Sequence, residues 1–158
     1  MKADPQAEAF WAEFCRDCGI SPETPYQVWY FGNGPEQARE LAELVVRGPK
    51  RATASLVGVN ELHPHLAPVI GGYSIVTDFA GNPACVIRTT EVRQVPFADV
   101  DARFEFDEGE GDRTLEDWRE AHRSYFTREA AENGIGFGES SAICCERFEL
   151  LFPMQTEE

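Results

Sequence analysis

The sequence predicts one α+β domain: a small barrel or strongly curved sheet of about five main strands, with helices packed around it. Five short runs rich in β-branched and aromatic residues are punctuated by Gly, Pro and Asn. Three longer segments repeat apolar residues at helical spacing between recognisable caps. The length of 158 residues suits a single domain that buries its core without a metal or disulfide staple.

Taken in order, Pro5 to Cys18 reads as a helix with Ala7, Phe10, Trp11 and Phe14 on one face and Gly19 ending it. Tyr26 to Phe31 is aromatic and strand-like, and Gly32-Asn33-Gly34 breaks it. A second helix opens at Pro35, runs through Leu41, Leu44 and Val45, and stops at Gly48. Strands follow at Ala52 to Val59, Tyr73 to Asp78, Ala84 to Val95 and Ser141 to Phe152. Ala80-Gly81-Asn82-Pro83 joins the middle pair as a hairpin turn. A helix from Leu115 to Glu132 is capped by Thr114 and Asp117, and the acidic stretch Phe106 to Asp112 precedes that cap as a loop.

Bulk chemistry narrows the function. The formal charge of −14 makes the chain a poor coater of long RNA, because such binding neutralises phosphates with Lys and Arg. It favours an enzyme acting on a small substrate over a general binding module, and no DNA partner is expected. No apolar run approaches a membrane span, and the polar start Met1 to Pro5 is no signal peptide, so a cytoplasmic protein is expected. The sequence carries no signal for an oligomeric state. Five cysteines and three histidines do not form two ligand pairs at zinc spacing, and Cys15 and Cys18 fall at i, i+3 on a helix as small hydrophobes. No cofactor and no resident metal are expected.

One segment concentrates the chemistry. Of 14 basic residues, only Lys2 and Lys50 are lysines, and Lys50 stands between Arg47 and Arg51. Lysine can surrender its proton, whereas arginine does not. Lys50 can act as a base, or it can simply complement the dipole at the helix C-terminus. Beyond it, period two puts Thr53 and Ser55 on one face of a strand and Ala52 and Ala54 on the other. A hydroxyl beside such a lysine is a nucleophile–base pairing. Arg88 and Thr90 share a strand face from which Arg88 could hold a phosphate or a carbonyl oxygen. Trp29, Tyr30, Phe31 and Trp118 could stack on an unpaired base. Trp118 and Tyr125 lie at i, i+7, where core packing suits at least one of them, and His122, on the Trp118 face, reads as structural.

Gly48-Pro49-Lys50-Arg51-Ala52-Thr53-Ala54-Ser55, preceded by its helix, resembles the Gly-x-Lys-x-x-Thr signature of ASCH domains. Further stretches are similar to the larger bacterial branch of that family: Tyr30-Phe31-Gly32, Gly72 to Val76, Ile87 to Val92, Gly109 to Leu115 with Trp118-Arg119, and Cys145-Glu146-Arg147-Phe148. The resemblance implies a PUA-like barrel over residues 26–153, with 1–25 as an N-terminal helical extension of the same single domain. It implies a cleft over the lysine loop. It also implies one of two activities, hydrolysis of the N4-acetyl amide of acetylated cytidine by a Lys, Thr and Glu set, or ribonuclease activity.

Carried over, the catalytic lysine is Lys50 and the threonine Thr53. The glutamate is Glu108 or Glu110, with Glu110 preferred. Ser55, Arg51, Arg88, Tyr30, Glu108 and Ser124 are the expected substrate contacts. In the amidohydrolase reading, Thr53 attacks the amide carbonyl, Lys50 takes its proton, and the acid orients the lysine and passes the proton to the leaving amine. The partner is then a modified nucleoside. In the ribonuclease reading it is a short single-stranded RNA, with Lys50 and Arg88 on phosphate and Glu108, Glu110 and Asp112 open to a divalent ion. A non-catalytic reader of RNA or nucleotides is the third reading.

Overall fold

The structure is a computed structural model that describes residues 4–109 and 114–153. It has an α+β architecture built on a five-stranded mixed sheet. Helix α1 (Pro5–Cys18) begins where the Asp4 carboxylate accepts from the Gln6 N–H at 3.0 Å and ends at Gly19. Its buried face, Ala7, Trp11, Phe14 and Cys15, packs against Ile75 and Val86 of the sheet. Strand β1 (Tyr26–Trp29) is shorter than its aromatic pattern suggests, because the chain turns at Tyr30 to place Phe31 in the core beneath helix α2 (Pro35–Arg47).

Strand β2 (Ala52–Leu56) also stops early, and Val57–Leu62 coils into a short helix α3 instead of continuing to Val59. Two contacts account for the difference. The Asn60 amide donates back to Ser55 Oγ at 3.0 Å, and Gly58 lies so close to Ile135 that a Cβ would stand 2.9 Å from its side chain. The hairpin of β3 (Tyr73–Thr77) and β4 (Pro83–Pro96) is closed by Asp78, which accepts from the Asn82 N–H at 2.8 Å. Helix α5 (Leu115–Glu132) starts at Thr114, whose hydroxyl accepts from the Asp117 N–H at 3.2 Å, and β5 (Ala142–Phe152) closes the fold.

The strand order is β1-β3-β4-β5-β2, with β1 and β3 parallel and every other pair antiparallel. Strands β1 and β2 end the order, so the sheet is open and curved rather than a closed barrel. Its register shifts between Thr89 and Glu91, a bulge that bends β4 against β5 beside the lysine strand. No described helix is long and apolar enough to cross a membrane.

The acidic stretch before α5 differs most from its expected form. Residues Ala102–Glu108 form a helix, α4, capped by Asp101, which accepts from the Phe104 N–H at 2.9 Å. Its end is pressed onto the lysine loop. Gly109 has φ +67°, and a Cβ there would stand 2.8 Å from the Pro49 carbonyl carbon and 2.9 Å from the Lys50 nitrogen. Gly109→Ala should therefore destabilise the protein by about 2–4 kcal/mol, from left-handed backbone strain plus overpacking. Urea denaturation measures this, and an unchanged midpoint would contradict the close approach.

Candidate active site

The lysine loop is clamped on three sides. The Lys50 N–H donates to Leu44 O at 3.3 Å, the Arg51 N–H to Asp107 O at 2.8 Å, and the Phe148 N–H to Arg51 O at 3.0 Å. Helix α2, helix α4 and strand β5 thus all fix this short segment. Lys50 itself is 0% exposed. Its ammonium donates to Ala52 O at 2.9 Å and to Glu108 O at 3.4 Å, and lies 5.0 Å from the centre of the Phe31 ring. The guanidinium of Arg51 turns the other way, donating to Val45 O at 2.9 Å and Lys50 O at 2.7 Å. Arg51, not Lys50, therefore caps the C-terminal end of α2.

Strand β2 carries most of the alternation expected of it, although Ala54, expected on the face of Ala52, also borders the cleft. Ala52 and Leu56 are buried in the core shared with α4 and α5, while Thr53 and Ser55 line a cleft on the other face. Thr53 pairs with Glu146 across the β2–β5 ladder, and Ser55 with Cys144. Paired residues of antiparallel strands point to the same face. Glu146 thus stands beside Thr53 at the cleft floor, 6% exposed, and accepts from the Thr89 hydroxyl at 2.6 Å. Burial pushes its carboxyl above the ordinary glutamate range, against the opposing pull of the Thr89 hydrogen bond and the Lys50 charge.

Glu108, the last residue of α4, is 0% exposed. Its Oε2 accepts from Trp118 Nε1 at 2.6 Å and lies 3.2 Å from His122 Nε2. Its Oε1 has no hydrogen-bond partner among the described residues. Burial works to raise this carboxyl as well. The charges of His122 and Lys50, with hydrogen bonds from His122 and Trp118, outweigh it and hold the group below its usual range. Two buried carboxylates flank one lysine and are pushed in opposite directions.

The cleft above them has a volume of about 230 Å³. Trp29, Tyr30 and Phe31 form one wall, and His122, Tyr125 and Glu129 of α5 the other. Of the expected site residues, Thr53, Ser55, Tyr30 and Glu108 line it together; Lys50 is fully buried and does not line it, its ammonium donating to Ala52 O next to Thr53. Arg51, Arg88 and Ser124 do not line it. Arg88 is exposed on the far face of β4, where it donates to Gly71 O at 3.3 Å and covers the Tyr73 ring, and Ser124 is solvent-facing on α5. Glu110 and Asp112 lie outside the described residues. Among the described residues, no group of three or more His, Cys, Asp or Glu is placed to hold a metal ion.

Three cleft residues carry no catalytic or binding role in the sequence, where His122 reads as structural. Glu146 sits in a quoted motif whose chemistry is visible only once β5 pairs with β2. Glu129 shares an α5 face with Tyr125, whose hydroxyl is 3.3 Å from its carboxylate. His122 does stack on Trp118, with ring centres 4.2 Å apart, and it also reaches Glu108. Its spacing of four residues from Trp118 was the available signal.

Comparison with known proteins identifies the family and the fold. A family model described as the ASCH domain matches residues 27–152. A solved ASCH domain from Lactobacillus crispatus is 31% identical, with a TM-score of 0.85 over 96% of this chain and 97% of that one. A solved protein from Enterococcus faecalis is 29% identical, with a TM-score of 0.82 over 97% and 98% of the two chains. No curated protein sequence matches the chain.

Proposed function

This chain belongs to the ASCH domain family, which is RNA-related, and on that premise we propose that it is a hydrolase cleaving the N4-acyl amide of a modified cytidine. One observation carries the choice of substrate. The cleft beside Thr53 and Lys50 is lined by Glu108, Glu129 and Glu146, and no arginine or lysine lines it among the described residues. A polyphosphate chain would find no lining cation there to offset its charge, and would meet the buried charge of Glu108. A neutral nucleoside meets no such barrier, and the aromatic wall of Trp29, Tyr30 and Phe31 suits a pyrimidine face.

Thr53 Oγ attacks the acyl carbonyl, forming the C–O bond as its proton passes to Lys50. The tetrahedral intermediate collapses with cleavage of the C–N4 bond, and Lys50 returns that proton to the departing nitrogen. Water then releases the acyl group from Thr53 by the same route. Glu108 supplies the acid of the set, its buried charge holding the lysine in place.

The test is the salt dependence of N4-acetylcytidine hydrolysis, followed as cytidine release. The rate should change less than about twofold between low and moderate salt, because an uncharged substrate is not screened. Cleavage of a short single-stranded RNA, run beside it, that weakens steeply over that range and is abolished in Lys50→Ala, with no cytidine released, would instead favour the ribonuclease reading.

A further inference from the structure

We propose that Glu146 is a catalytic residue of this site, donating a hydrogen bond from a neutral carboxyl to the acyl oxygen as negative charge develops on it. The inference rests on the amide-hydrolase reading above and supplies what that reading lacks, a donor for the oxyanion.

The position follows from the ladder. Thr53 and Glu146 are register partners, so their side chains leave the sheet side by side, with Cβ atoms about 4.5–5.5 Å apart. A carbonyl carbon within attacking distance of Thr53 Oγ brings its oxygen within reach of the cross-strand neighbour on that face. That neighbour is Glu146, and it borders the cleft. The Thr89 hydroxyl fixes the carboxyl by donating to Oε2 at 2.6 Å, which leaves Oε1 as the oxygen to carry a proton toward the cleft. The β4 bulge next to Thr89 is the local distortion at this contact.

Burial supports the neutral form. The titratable groups around it are Lys50 at the root of β2, Cys144 on its own strand, and Glu108, His122 and Glu129 across the cleft. Of these, the Lys50 charge opposes protonation of Glu146. The proton donated by Glu146 remains on its carboxyl throughout and returns to its ground-state position when the intermediate collapses.

Two variants test the role, with N4-acetylcytidine as substrate and rates measured from about pH 5.5 to about pH 9. Glu146→Leu should lower kcat by about 10²-fold or more while KM changes less than about threefold, since the interaction belongs to the transition state. Glu146→Gln preserves an N–H donor in nearly the same shape. It should turn over at least about tenfold faster than Glu146→Leu, and it should lack the fall at high pH that deprotonation of Glu146 imposes on the wild type. Equal losses in the two variants, both folded by circular dichroism, would overturn the donor role, as would a loss carried by KM. If Glu146→Leu fails to fold, the pH profile of Glu146→Gln decides alone, and retention of the wild-type high-pH fall would overturn the proposal. Wild-type protein releasing no cytidine at all would defeat the hydrolase reading itself, an outcome distinct from active wild type with indifferent Glu146 variants.

Discussion

Lys50→Arg should reduce turnover of N4-acetylcytidine by about 10²–10⁴-fold, the range general-base catalysis supplies. The guanidinium keeps the positive charge beside Glu108 and Glu146 but does not give up its proton, so charge alone is separated from basicity. The site is tight, because Lys50 is fully buried with Phe31 over its ammonium. Lys50→Met, which keeps the length of the side chain without the charge, is the companion variant, and both should be compared by thermal melting. A folded Lys50→Arg protein with near-normal rates would leave Lys50 a charge and nothing more.

The second large effect belongs to Glu108→Gln. Turnover should fall by about 10²-fold, since the buried charge beside the lysine is lost while the shape is kept. Stability should fall as well, by about 1–3 kcal/mol at neutral pH, because the fully buried carboxylate accepts from Trp118 and His122. The pH dependence has a definite sign. Glu108 is held below its ordinary range in the folded state, so its stabilisation is fully present above the unfolded value and is lost as pH falls through the folded one. The stability gap between wild type and variant should narrow on acidification below about pH 4. Denaturant midpoints at several pH values measure it. A larger loss of turnover from Glu110→Gln than from Glu108→Gln would transfer the acid's role to Glu110.

What the sequence made legible was local. Helices α1, α2 and α5 were readable because their ends are written in adjacent residues: Gly19, Pro35 and Gly48, and Thr114 with Asp117. Thr53 and Ser55 were placed on one face by the period of a strand alone. Helix α4 was not readable, since Phe106 to Asp112 looks like a solvated acidic run until Gly109 is seen against Pro49 and Lys50. That approach buries Glu108, and no local pattern announces it. Glu146 was hidden for the same reason, because its burial depends on Thr89 of a neighbouring strand and on the register with Thr53. Arg51 and Arg88 were plausible ligands by type, and the fold uses one to cap α2 and lays the other over Tyr73. Charge in a sequence does not say which face it will occupy.

The activity we propose for this cleft is hydrolysis of an acylated nucleoside through Lys50 and Thr53. The most direct test is release of cytidine and acetate from N4-acetylcytidine by wild type, Lys50→Ala and Thr53→Ala, run beside cleavage of a short single-stranded RNA, with and without chelator. The wild type should release stoichiometric cytidine and acetate, insensitive to chelator, with a loss of about 10²-fold or more in each variant. RNA cleavage abolished in Lys50→Ala, with no cytidine released by the wild type, would contradict that activity.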